Sequence, residues 1–291
     1  MNPYSFPPLI ASILLLILVF FVIRSKKTVG NFLFASACLS GALWLFSDFI
    51  AFNYQAAEEV FFWFRVAYIG IGCIPLFFFH YTQVFLEVNW TKYLVFLHYM
   101  IGLIFIWINL NTRFLIQSSK RYFWGFYPVA GKWHFLFIIF FFYIACFLFI
   151  QLIWSCFFMK RKTRLIKIQQ AKYILGAFVL FTFAFVDFLP NYNIEIYPFG
   201  YIPTVSFVAI ITYAIVRYRL LDISIAITRT GIFVAVYSLI LGTPFIVACC
   251  YQPFLIGLLG NRWWLAPMGL LTVLATVGPF VYIFINRKAE D

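Results

Sequence analysis

The chain has 291 residues, of which 65% are hydrophobic, 23% aromatic and 10% charged, and its formal net charge is +12. Such a balance excludes an ordinary soluble domain, because only lipid suits so much apolar surface. The basic residues are dispersed over short loops rather than gathered on one face, so topology and anionic lipid headgroups account for the charge and no nucleic-acid partner is expected.

A hydrocarbon core about 30 Å thick needs roughly 20 apolar residues per helix. Nine runs meet that requirement: 7–23, 31–52, 60–86, 93–111, 135–158, 173–189, 199–216, 231–251 and 265–286. The expected fold is an all-α polytopic bundle of about nine transmembrane helices. A seven-helix region spans 1–230, and two further helices with a short tail span 231–291.

Lys and Arg alternate between the gaps. Those after runs one, three, five, seven and nine hold Arg24, Lys26 and Lys27; Lys92; Lys160, Arg161, Lys162, Arg164, Lys167 and Lys172; Arg217, Arg219 and Arg229; and Arg287 and Lys288. The others are Arg65, Arg113, Lys120, Arg121, Lys132 and Arg262. The positive excess of cytoplasmic loops places the N-terminus outside and the C-terminus in the cytoplasm. In the first run the basic cluster follows the apolar stretch, as in a reverse signal anchor rather than a cleavable signal.

The second run carries Asp48 near its outer end, with Trp44 one helical turn before it. The third carries Arg65 at similar depth, with Tyr68 one turn after it, and the sixth carries Asp187. Intramembrane charge is costly unless paired, so Arg65 is expected to meet Asp48 or Asp187. Two readings follow: a staple between helices, or the polar floor of an outward-facing pocket. His80, Gln83 and Glu87 form a second polar stripe along the cytoplasmic half of the third run, for which a solvated helix end is the plain account. The connection from Leu110 to Trp133 contains Gly125-Phe126-Tyr127-Pro128-Val129-Ala130-Gly131, whose Pro and Gly break a helix and favour a short surface hairpin able to lid that pocket. Prolines at Pro75, Pro203, Pro244, Pro267 and Pro279 permit kinks.

The six cysteines fall inside the apolar runs and the three histidines on separate elements, so neither a disulfide framework nor a metal site is expected. Hydrolase, zinc-protease and phosphate-loop motifs are absent. No cofactor is implied, and without a mid-span Lys a retinal Schiff base is excluded.

Arg65 with Tyr68-Ile69-Gly70 and Ile74-Pro75, the loop Tyr127-Pro128-Val129-Ala130-Gly131, Asp187-Phe188-Leu189-Pro190 and Tyr197-Pro198 together point to a family. With the closing run from Tyr213-Ala214-Ile215-Val216-Arg217 to Tyr218-Arg219-Leu220-Leu221-Asp222-Ile223, they resemble the seven-transmembrane N-terminal sensor region of bacterial histidine kinases. The resemblance covers roughly residues 5–230. It implies a multi-pass receptor of the bacterial inner (cytoplasmic) membrane, working in a two-component system and commonly as a homodimer. Trp44, Asp48, Arg65, Tyr68 and Asp187 would form its ligand or signal pocket. Arg217, Tyr218, Arg219 and Asp222 would form its output surface.

The sequence ends at Asp291 with no transmitter helix and no ATP lid, so this polypeptide is expected not to be a kinase by itself. A cytoplasmic histidine kinase or other signalling protein would read the output, with membrane lipids as the remaining partners. The competing class is a transporter or lipid-handling protein, in which the same polar cluster would be a substrate site.

Overall fold

A computed structural model describes residues 2–25, 27–88, 91–158, 165–218, 220–221, 244, 247–248 and 252–290. They fall into two units, Met1–Ile223 and Ser224–Asp291.

The first unit is built from helices α1 (Phe6–Arg24), α2 (Val29–Asn53), α3 (Ala57–Leu86), α4 (Lys92–Asn111), α5 (His134–Phe158), α6 (Leu165–Thr182) and α7 (Tyr201–Tyr218), with a hairpin of β1 (Ile116–Tyr122) and β2 (Gly125–Ala130) between α4 and α5. The first six helical stretches are long and apolar enough to cross a membrane, and Tyr201–Ile215 of α7 is a shorter apolar helix. The chain is thus a polytopic helical membrane protein.

Helix α2 is the most enclosed of these. Its buried face is rich in small residues, among them Ala35, Ala37, Ser40, Gly41 and Ala42, and small residues let backbones approach where lipid offers no hydrophobic drive. A side chain at Gly70 of α3 would lie 2.5 Å from the Ser40 carbonyl oxygen, so that glycine sets the α2–α3 spacing. On the other side the Ser12 hydroxyl of α1 donates to the Ala42 oxygen at 2.8 Å. Helices α4 and α5 form the rim, with Phe96, Trp107, Ile150 and Trp154 exposed. Lipid is the natural cover for such surfaces.

The start of α1 is tied down locally and at long range. The Asn2 side chain caps the short 3-10 turn Pro3–Ser5, while its amide nitrogen donates to the Phe52 oxygen at 2.8 Å and to the Trp124 oxygen at 2.5 Å. Trp124 lies in the two-residue hairpin turn, is fully buried and stacks on Tyr122 at 4.5 Å. Gly125 follows with φ +133, and a side chain there would come within 2.8 Å of the Phe52 Cα. Only glycine supplies both that angle and that clearance. The hairpin foreseen between α4 and α5 is therefore seated on the bundle end by its turn.

Helix α6 departs from the expected 173–189. It begins at Leu165 and its α-helical winding ends at Thr182, after which the chain tightens into 3-10 turns over Phe183–Phe188 and Pro190–Tyr192. Pro190 has no amide hydrogen to continue an α-helix. Asn193, at φ 65, turns the chain away.

In the second unit α8 (Gln252–Leu259) leads through the 3-10 turn Gly260–Arg262 to α9 (Leu265–Glu290). The expected run 231–251 lies outside the described residues except Pro244, Val247 and Ala248. The short α8 was not foreseen.

Candidate ligand cavity

At the hairpin end of the first unit, α2, α3, β2, α5 and the 3-10 end of α6 line a cavity whose empty space, including the part open to the outside, is about 790 Å³. Phe64, Ala67, Tyr68, Ile71, Ile74, Pro75 and Phe78 give the α3 wall a helical stripe. Trp44 and Asp48 come from α2, Tyr127 and Pro128 from the hairpin, and Asp187, Phe188 and Asn191 from the end of α6. Among the described residues no Lys, Arg or His side chain lines it.

Both aspartates are enclosed, Asp48 at 5% and Asp187 at 6% exposure. Asp48 is hydrogen-bonded by the Trp44 side chain one turn earlier and feels the charge of Asp187. Asp187 Oδ1 accepts the Gly200 backbone N–H at 2.7 Å. A side chain at residue 200 would collide with that carboxylate, so the Asp187 site needs glycine opposite it.

Beside the acids runs a neutral polar chain. The Tyr68 hydroxyl lies 2.6 Å from His134 Nε2, and His134 Nδ1 lies 2.8 Å from the Tyr192 hydroxyl. Asn191 Nδ2 donates to the Tyr68 oxygen. These contacts fit an Nδ1–H imidazole that accepts from Tyr68 and donates to Tyr192. Asn191 Oδ1 is then left with no donor among the described residues.

Tyr127 belongs to the hairpin, and its hydroxyl donates to the Asp187 backbone oxygen at 2.7 Å. Burial first, and then the nearby Asp187 charge, push this phenol well above its ordinary pKa, so it stays a donor.

Four of the five pocket residues named from the sequence, Trp44, Asp48, Tyr68 and Asp187, line this one cavity. Arg65 does not, and it meets neither aspartate. Its Nη1 donates to the Leu110 oxygen at 2.6 Å and its Nη2 to the Thr112 oxygen at 2.9 Å, with the guanidinium over Phe61. The last carbonyls of a helix lack intrahelical partners and carry the negative end of its dipole, so a two-pronged cation caps α4 there. The α3 periodicity already held the clue, since residue 65 lies off the stripe of 64, 67, 68 and 71.

At the other end of the bundle the His80, Gln83 and Glu87 stripe is not simply solvated. Gln83 is buried and exchanges two amide hydrogen bonds with Gln151 of α5, at 2.6 and 3.1 Å. His80 meets the Tyr99 hydroxyl at 3.2 Å, and Glu87 forms an ion pair with Lys167. Of the expected output residues, Tyr218 ends α7; its carbonyl accepts from Gln170 at 2.8 Å and its ring lies on Tyr173. Arg219, Asp222 and the Arg217 side chain fall outside the described residues.

The family model for the N-terminal 7TM region of histidine kinase matches residues 7–224. The chain belongs to this family. The match ends beside the boundary between the two units, so the first unit is the histidine kinase 7TM region and the second lies beyond it. No curated protein and no solved structure matches the chain.

His134, Asn191 and Tyr192 were not foreseen as site residues. Asn191 and Tyr192 stand 57 and 58 positions from His134 along the chain, and such spacing carries no periodic signal.

Proposed function

We propose that this 7TM region is a membrane-embedded input module, in which a small ligand or membrane state acts at the cavity and a conformational change passes to a cytoplasmic partner. Family membership supports the sensory role. The hairpin end would face outward and α7 would exit into the cytoplasm of a bacterial inner membrane, following the distribution of Lys and Arg. A histidine kinase or similar signalling protein is the partner of choice, with the module acting as a homodimer.

One observation carries the route. The α6 segment has its 3-10 end in the cavity wall through Asp187 and Asn191, while Gln170 near its other end holds the Tyr218 carbonyl where α7 ends. A ligand that binds one arrangement of that 3-10 end better than another shifts the population of α6 positions, and Gln170 delivers the shift to α7.

The test places spin labels, as unnatural amino acids, at Ile166 and Tyr213, and measures their separation in lipid nanodiscs. Filling the cavity by Ala145→Phe should redistribute the distances. A single distribution unchanged by that substitution would refute coupling. Solute accumulation in proteoliposomes that Asp48→Asn abolishes would favour a transporter instead.

A further inference from the structure

We infer that the cavity takes a primary ammonium ion, an alkylamine or a molecule bearing an unhindered aminoalkyl chain. This rests on the cavity being the input site, and it names the chemistry of what enters.

Asp48 and Asp187 line the same space, both enclosed, and among the described residues no basic side chain lines it with them. Two enclosed acids without a basic partner are relieved either by holding a proton or by receiving a cation, and an ammonium ion is the charged complement to this wall. The rest of the wall suits one. Trp44, Tyr68, Phe78, Phe141, Phe181 and Phe188 line the cavity, and aromatic side chains attract cations to their faces.

A separate observation selects the kind of cation. Asn191 lines the cavity at 2% exposure, and its Oδ1 has no donor among the described residues. A buried acceptor left open asks for an N–H or O–H. A primary ammonium brings three N–H donors, for which the Asp48 carboxylate, Asp187 Oδ2 and Asn191 Oδ1 are candidate acceptors. A quaternary ammonium brings none.

An alkyl chain on the ammonium can lie along Phe141, Leu148 and Phe178, where the wall is apolar.

The experiment titrates the whole chain in nanodiscs with hexylammonium, hexan-1-ol and tetraethylammonium, following tryptophan fluorescence against empty nanodiscs. Hexylammonium should bind saturably, hexan-1-ol at least about tenfold more weakly, and tetraethylammonium not at all. Asp48→Asn and Asp187→Asn should each weaken hexylammonium by at least about tenfold. Ala145→Phe keeps both acids but fills the cavity, and should abolish binding even if an aspartate variant fails to fold. Equal binding of amine and alcohol, no binding of the amine, or binding unaffected by Ala145→Phe would overturn the assignment.

Repeating the α6–α7 distance measurement with hexylammonium separates the two claims. Binding that leaves the distances unmoved removes the sensor reading and keeps the amine site. Distances that respond to Ala145→Phe in a protein that ignores the amine remove the ligand class alone.

Discussion

The Tyr127 hydroxyl, at the centre of β2, donates to the backbone oxygen of Asp187 at 2.7 Å, so the hairpin and the end of α6 form one wall. Tyr122 repeats the connection one strand away, donating to the Pro190 oxygen at 2.8 Å. Movement of the 3-10 segment therefore moves the hairpin as well.

Tyr127→Phe removes a buried donor and leaves a carbonyl unpaired, which should cost about 1–3 kcal/mol of stability. The sign with pH follows from the raised pKa. Folding favours the neutral phenol, so the Tyr127 contribution is complete below the ordinary tyrosine value of 10.0 and is lost as pH climbs above it toward the folded value. Thermal unfolding of wild type and variant should converge in strongly alkaline buffer. A gap that widens with pH would contradict this.

Gly200→Ala forces a methyl group against the Asp187 carboxylate. It should therefore reproduce the cavity defect of Asp187→Asn and destabilise the fold by about 1–3 kcal/mol. Combined with Asp187→Ala, the alanine at 200 should cost much less, because the colliding group is gone. Strict additivity in a double-mutant cycle would show that the two positions do not interact.

Arg65→Ala should strip the cap from α4 while leaving the cavity intact. Loss of two charge-assisted hydrogen bonds predicts about 1.5–3 kcal/mol of destabilisation. Hexylammonium affinity should stay within about twofold of wild type in surviving protein. A collapse of affinity with normal stability would return Arg65 to the site.

Gln170→Leu removes the donor to the Tyr218 carbonyl at the end of α7. The α6 and α7 labels should then lose their response to cavity filling while amine binding persists. Retained coupling would move the transmission route to another contact.

Much of the first unit is legible in the sequence because lipid imposes one solution on an apolar run of about 20 residues. Helices α1 to α5 and α7 lie close to their expected bounds for that reason. The end of α6 was not read, since Phe183 to Leu189 is apolar but for Asp187 and only Pro190 hints at the tighter winding. Equal depth brought Asp48 and Asp187 together, as depth follows from counting along each run. Direction around a helix is a separate variable, and it turned Arg65 toward α4. The link from Tyr68 through His134 to Tyr192 joins three elements whose lateral neighbours no spacing within one chain segment reveals.

The reciprocal amide pair of Gln83 and Gln151 has a consequence for α5 as a whole. Most of that helix presents apolar side chains outward, Ile150 among them, and lipid tails do not distinguish one outward face from another. Its rotation about its own axis is set by its contacts within the bundle. Turning α5 by one residue, about 100°, would carry the Gln151 amide away and leave Gln83 with the Thr91 hydroxyl, which donates to its oxygen at 2.9 Å, but without its partner on α5. The pair works as a key in a slot, holding Phe141, Ala145 and Leu148 toward the cavity while the opposite face meets the bilayer.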